Sequence, residues 1–371
     1  MKSLSFHFCV LIIFGSLLIP AICHGHDSHS QKPHKHVPLF VFGDSLFDPG
    51  NNLYLNTSHK EASAYWPYGE TFFKRPTGRL SDGRLVPDFI AEFMELPLTT
   101  AYLQPGTHRF THGSNFASGG AGVLADTHPG TISLPLQLSY FKNVVKQLKQ
   151  KLGEVKTKKL LMRAVYLFSI GGNDYFGFYM KNQNASQSSQ TQFVGMVIRN
   201  LTNALEEIYQ IGGRKIAFQN VGPLGCVPTN RAKTGNGACA EEASAMAKMH
   251  NAALANVLKN LQTRLPRFKY SIFDYYNTLS DKINHPSKYG FKEGKSACCG
   301  SGAYRANNCG GQGVGGTTTK FELCSIPGDY VWFDGGHTTE RANRQLAELL
   351  WNGTPNCTAP HNIKQLFGHM E

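Results

Sequence analysis

Four short apolar runs, at 38–42, 164–170, 215–221 and 268–273, lack the strict alternation of a half-exposed strand, and each stops abruptly at glycine or aspartate. Such runs read as strands buried on both faces of a sheet. Apolar positions at helical spacing over 88–94, 134–152, 191–211, 240–261, 274–283 and 338–351 predict helices between and after them. Strand, loop and helix in alternation predict an α/β fold: a mostly parallel sheet with helices on both faces, joined by right-handed crossovers. In open sheets of this kind, chemistry collects at the carboxyl ends of the strands, near the point where strand order reverses. The loops after the four runs therefore hold the candidate site.

The amino-terminal segment follows another pattern. Lys2 precedes an apolar run over 8–20 that is too short for a comfortable membrane span, and small residues such as Ala21 follow, so 1–25 reads as a secretory signal peptide. Residues 26–37 form a polar, His-rich arm expected to be disordered, and 38–371 reads as one domain. His24, His26, His29, His34 and His36 lack the fixed spacing of a metal site and read as a solvated tail. No second long apolar segment follows, so no membrane anchor is expected.

Charge adds little to this picture. Thirty-seven Lys and Arg against 25 Asp and Glu give +12, or +11 once Lys2 leaves with the signal. With 41% hydrophobic and 17% charged residues, this is the composition of a basic globular protein in an acidic compartment rather than of a nucleic-acid binder. Lys142, Lys146, Lys149, Lys151, Lys156, Lys158 and Lys159 read as a solvated helix face.

Two further features agree with export. Asn56, Asn184, Asn200, Asn352 and Asn356 each open an Asn-x-Ser/Thr sequon. Of nine cysteines, Cys9 and Cys23 leave with the signal; the seven that remain lack the CxxC spacing of a zinc site and allow up to three disulfides and one leftover thiol. Cys298 and Cys299 are neighbours and need other partners, of which Cys309 and Cys324 are the nearest, so these four are expected to tie down the aperiodic stretch 294–324. Cys226 and Cys239 would close a separate loop and Cys357 would stay unpaired. Each bridge would stabilise the fold by roughly 3 kcal/mol in the chain-entropy model.

Gly43-Asp44-Ser45-Leu46 follows the first buried run directly, so Ser45 sits where a hydroxyl can project from the sheet edge as a nucleophile. A serine in such a turn is more often a helix cap, and the GxSxG elbow is absent from the chain. Partners raise its standing. Asp334 and His337 stand three apart around two glycines just before the last helix, as a base and its orienting carboxylate would. Gly119 and Gly120 offer bare backbone amides, and Asn173 follows a buried run with a side-chain amide available to an oxyanion. The formal GxGxxG at 311–316 follows a cysteine rather than a strand and reads as loop, and 290–296 misses the phosphate-loop spacing by one residue.

Four ordered blocks, namely 42–52, 115–122, 170–174 and 334–337, make the chain resemble the plant GDSL esterase/lipase family within the SGNH hydrolases. The resemblance covers nearly all of 38–371 and implies a single flavodoxin-like three-layer α/β/α domain with a mostly parallel five-stranded sheet. It implies Ser45 as nucleophile, His337 as base, Asp334 as its orienter, and an oxyanion hole built from the Ser45 and Gly120 amides and the Asn173 side chain. The family commonly has proline after the histidine, where this chain has Thr338. The expected activity is hydrolysis of small-molecule or lipid carboxylic esters by a secreted monomer in the extracellular space or apoplast, the vacuole being the other destination. No cofactor, metal or nucleic acid is expected. Two alternatives stay open: an acyltransferase that moves the acyl group to an alcohol, and a non-catalytic wall-binding protein.

Overall fold

The computed structural model describes residues 36–55, 62–106, 108–182, 184–311 and 320–368. The signal segment 1–25, nearly all of the His-rich arm, the Asn56 sequon and most of the 311–316 glycine motif lie outside these residues. Residues His36–Glu371 fold as one compact unit.

The strands are β1 (Leu39–Gly43), β2 (Gly113–Asn115), β3 (Val165–Ser169), β4 (Lys215–Gln219), β5 (Lys269–Phe273), β6 (Glu293–Ala297), β7 (Cys299–Gly300), β8 (Glu322–Leu323), β9 (Tyr330–Trp332) and β10 (Thr358–Pro360). The helices are α1 (Val86–Phe93), α2 (Leu134–Leu152), α3 (Glu154–Arg163), α4 (Gly172–Lys181), α5 (Gln187–Ile211), α6 (Pro228–Arg231), α7 (Glu241–Arg264), α8 (Tyr275–Asn284), α9 (Glu340–Asn352) and α10 (Ile363–Gly368). The main sheet runs β2-β1-β3-β4-β5-β10, parallel through its first five strands, the flavodoxin-like order. It has six strands rather than five, because β10 adds antiparallel to β5 at the edge. Pro360 ends that strand, where a missing N–H breaks no interior ladder. The run at 38–42 thus lies beside both β2 and β3, at the reversal of strand order.

Because side chains alternate across a strand, two sets of β residues serve two helical layers. Phe40, Phe42, Tyr166, Phe168, Ile216 and Phe218 pack with α2, α3, α5 and α7. Leu39, Val41, Val165, Leu167 and Ala217 pack with α1, α8, α9 and α10. Phe42, Phe168 and Phe218 are aligned cross-strand neighbours and stack at centroid distances of 4.9 and 5.6 Å.

A third, smaller core holds Tyr68 and Phe333 against the cysteines of the 294–324 stretch. The bridges Cys226–Cys239, Cys298–Cys324 and Cys299–Cys309 are formed, and Cys357 is the free cysteine among the described residues. Residues 293–296 of the near-miss phosphate motif lie in strand β6, paired with β9, rather than in a loop opening a helix. The seven lysines singled out above are exposed on α2 and α3, where Lys142 pairs with Glu207 and Lys149 with Glu154.

One buried ion pair anchors the loop that follows β1. Arg79 holds Asp88 through two bonds of 2.8 Å, with side chains only 7% and 1% exposed, and also reaches the Pro49 carbonyl. Asp88 in turn accepts the Leu85 amide at the start of α1 and the Thr99 hydroxyl. Asp88→Ala strands the guanidinium without its partner in a buried site, so it should destabilise the fold by about 3–5 kcal/mol. The check is the urea midpoint at unchanged slope; an unshifted midpoint would mean that Arg79 escapes to water.

Candidate active site

The site grows from the carboxyl ends of β1, β2 and β3. Gly43 closes β1, and Gln137 grips its backbone from both sides: Gly43 N–H donates to Gln137 Oε1 at 2.9 Å, and Gln137 Nε2 donates to Gly43 O at 2.8 Å. The Asp44 amide bonds to Ser169 O at the end of β3, and the Ser118 amide to Gly43 O. The chain then turns sharply, Phe47 N–H donating to Asp44 O, and leaves Ser45 half-buried at the turn.

His337 and Asp334 reach Ser45 from the loop between β9 and α9. His337 Nε2 lies 2.8 Å from Ser45 Oγ, and His337 Nδ1 lies 2.8 and 2.9 Å from the two Asp334 oxygens. Asp334 Oδ1 also accepts the Gly336 and His337 amides at 2.9 and 2.8 Å, and Oδ2 accepts the Tyr68 hydroxyl at 2.8 Å. Burial alone would raise the Asp334 carboxyl, but the His337 charge and these donors outweigh it and hold the group below its usual value. Gly335 acts by close approach rather than by a left-handed backbone, since a Cβ there would lie 2.1 Å from the Ala306 carbonyl, whereas one on Gly336 would meet nothing. Thr338, in place of the family's proline, donates to Asn343 Oδ1 and accepts from Ser81 through its carbonyl, so it ties the loop to α9.

The second and third blocks flank Ser45 on either side. Asp48 accepts the Gly50 and Asn51 amides through Oδ1 and the Gly119 amide through Oδ2 at 2.9 Å. Asn51 donates to the Asn115 and Ala117 carbonyls, and Asn52 donates to Gly119 O. Gly119 N–H is therefore occupied, while among the described residues the amides of Gly120 and Ser45 have no protein acceptor. Gly120 takes φ 80°, a left-handed conformation that suits glycine and turns its amide out of the network. Asn173 stands in the first turn of α4 and donates through Nδ2 to Ala121 O at 3.0 Å. Its neighbour Asp174 secures the same turn, accepting the Val123 and Leu124 amides and the Thr127 hydroxyl. Below it, His250 is fully buried, which pushes its pKa down to about 3, and its Nδ1 lies 2.6 Å from the Tyr175 hydroxyl.

His337 and Asp334 thus meet Ser45 beyond the carboxyl end of β1, while Gly120 and Asn173 follow β2 and β3, the strands on either side of it. Sequence reasoning missed Tyr68, Gln137, Asp48 and Asp174 as supports. Asp48 and Asp174 lie inside the quoted blocks; Tyr68 and Gln137 carry no local pattern and meet the site only through the fold. Two spaces border residues around the site. An open cleft is lined by Tyr68, Thr229, Asn307, Asn308 and His337, and a more apolar pocket lies against Asp44, Leu46 and Gly172.

Comparison with known proteins agrees with this arrangement. The model of the GDSL-like lipase/acylhydrolase family matches residues 39–350. The chain is 49% identical to GDSL esterase/lipase 1 of Arabidopsis thaliana over 89% of each chain, and 46% identical to GDSL esterase/lipase 2 of the same plant over 98% of this chain and 96% of the relative. It is 44% identical to a GDSL lipase of Tanacetum cinerariifolium over 95% of this chain and 93% of that one. The chain belongs to the GDSL-like lipase/acylhydrolase family, a class of carboxylic ester hydrolases.

Proposed function

We propose that this protein is a secreted serine esterase/lipase that cleaves carboxylic esters through an acyl-Ser45 intermediate. The observation that carries this reading is the chain of short bonds from Ser45 Oγ through His337 to Asp334. Ser45 Oγ bonds to the ester carbonyl carbon as its proton passes to His337 Nε2, and the carbonyl oxygen becomes an oxyanion facing the Ser45 and Gly120 amides and the Asn173 side chain. Collapse breaks the carbon–oxygen bond to the alcohol, and His337 returns its proton to the leaving oxygen. Water then attacks the acyl carbon, gives its proton to His337, and releases the acid as Ser45 regains its hydrogen. Asp334 accepts from His337 Nδ1 throughout, holding the tautomer and stabilising the imidazolium. An alcohol in place of that water makes the same groups an acyltransferase.

Treatment with a fluorophosphonate followed by peptide mass spectrometry should place one adduct on Ser45. No adduct on folded protein would leave a binding protein on a hydrolase fold. Product analysis with and without acceptor alcohols separates hydrolysis from transfer.

Export is supported by three disulfides and by the exposure of Asn184, Asn200, Asn352 and Asn356. Among the described residues no helix is long and apolar enough to cross a membrane. Protein recovered from the medium of expressing plant cells should begin near residues 23–25 and shift in mass on deglycosylation. An intact Met1 would overturn the signal assignment.

A further inference from the structure

The basic stretch at the end of α2 and through α3 takes no part in the mechanism, and its surroundings change how it reads. From Lys142 to Arg163 the chain carries eight cationic side chains and one acidic one, Glu154. A solvated helix face interleaves the two signs, whereas a block of one sign makes a local field. The stretch alone carries +7 of the chain's formal +12, so the excess charge is concentrated rather than spread. Lys149 is engaged by Glu154 and Lys142 by Glu207. Among the described residues, Lys146, Lys151, Lys156, Lys158 and Lys159 are exposed and have no ion pair.

The fold extends this stretch into a band. Leu161 of α3 packs at the end of α5, where a Cβ on Gly212 would lie 3.3 Å from the Leu161 Cβ. The same end of α5 meets the turn between α7 and β5: the Tyr209 hydroxyl donates to Pro266 O, and Glu206 pairs with Arg264. Arg267, in that turn, is exposed. Val165, Lys215 and Lys269 begin β3, β4 and β5 in register, and each strand is entered from an arginine within two positions: Arg163, Arg214 and Arg267. The band therefore runs along the amino ends of three parallel strands, whereas Ser45 follows the carboxyl end of β1. The five residues of such a strand, about 16 Å, separate the two edges.

A partner for this band must be anionic and extended, because the cations follow one another along two helices and a row of strand ends rather than enclosing a point. Two anionic classes fit it poorly. Val155 is the one large apolar side chain exposed between 142 and 163, whereas a helix that lies on a bilayer buries an apolar face. The stretch contains no aromatic residue, and stacking on nucleic-acid bases requires one. We propose that this band docks an acidic polysaccharide, a chain of uronate-type carboxylates, and holds the protein on it with the Ser45 edge directed away. Ammonium groups on flexible stems meet carboxylates at any register, and many weak pairs to one polymer add through effective concentration. Docking of this kind needs no acyl-Ser45 chemistry, and export brings such polymers within reach.

The test measures binding of the exported chain to polygalacturonate at about 20 mM and about 300 mM NaCl, with circular dichroism to confirm folding. The affinity of the native chain should fall by about tenfold or more between the two. Lys156→Glu, Lys158→Glu and Lys159→Glu combined should weaken low-salt binding by about tenfold or more. Lys181→Glu, Lys248→Glu and Lys295→Glu combined make the same change in net charge at exposed positions off the band, and should alter binding by about threefold or less. If the α3 triple variant does not fold, Lys146→Gln with Lys151→Gln on α2 takes its place, against Lys181→Gln with Lys248→Gln, and should bind more weakly than that control. Absence of salt-sensitive binding by the native chain, or equal weakening on and off the band, overturns the assignment. So does tighter binding, at the same salt, to duplex DNA or to vesicles of equal parts phosphatidylserine and phosphatidylcholine. Fluorophosphonate labelling of Ser45 is read separately, so either reading can fail alone.

Discussion

Ester turnover by Ser45→Ala should fall to the residual level that binding and the oxyanion donors sustain by themselves, with the fold unchanged. The substitution removes one oxygen from a half-buried turn whose shape is set by backbone bonds from Asp44, Leu46 and Phe47, so little stability is at stake. Asp334→Asn should lose on the order of 10⁴ in turnover by presenting His337 with the wrong tautomer. The structure sharpens the reason. The two Asp334 oxygens serve the Tyr68 hydroxyl, the Gly336 and His337 amides and the His337 ring, and a single amide oxygen cannot accept from all of them. The carboxamide of that variant would either turn its NH₂ toward the imidazole or give up the loop. Steady-state rates on one activated ester, with circular dichroism to confirm folding, decide this; near-native cleavage by Ser45→Ala would refute the mechanism.

The part of the molecule that can be read from the sequence is the part with strong local signals. The run ending in Phe42 and Gly43 is apolar throughout because β1 is covered on both faces, and the helical spacing over 134–152 matches the bounds of α2. The cysteine pattern is informative because adjacency disfavours a Cys298–Cys299 bond and points both to Cys309 and Cys324; it leaves two pairings open, of which the fold takes Cys298–Cys324 and Cys299–Cys309. What the pattern misses has a physical cause in each case. β2 is Gly-Ser-Asn and β10 is Thr-Ala-Pro, both three residues long, with no apolar pattern to mark them. α3 follows α2 across Gly153 and is rich in lysine, and α4 opens on Gly-Asn-Asp, residues that favour turns. Tyr68 is 266 positions from the carboxylate that it supports, and only the closed fold brings them together.

The oxyanion assignment carries the second large effect. Asn173 has two amide protons, and one of them is committed to Ala121 O at 3.0 Å, so the other is the one free to meet developing charge. A donor held in this way by the protein needs no reorganisation when the carbonyl oxygen becomes anionic, and it acts mainly in the transition state. Asn173→Ala should therefore lower kcat by about 10² to 10³ with a smaller change in KM. Loosening of the 121–127 turn is the competing explanation, but Asp174 holds that turn independently through the Val123 and Leu124 amides and the Thr127 hydroxyl. Gly120, on the same turn, should keep its amide in place. If the substitution raised KM alone and left kcat untouched, Asn173 would be a ground-state binding residue, and the Ser45 and Gly120 amides would be left to stabilise the oxyanion without it.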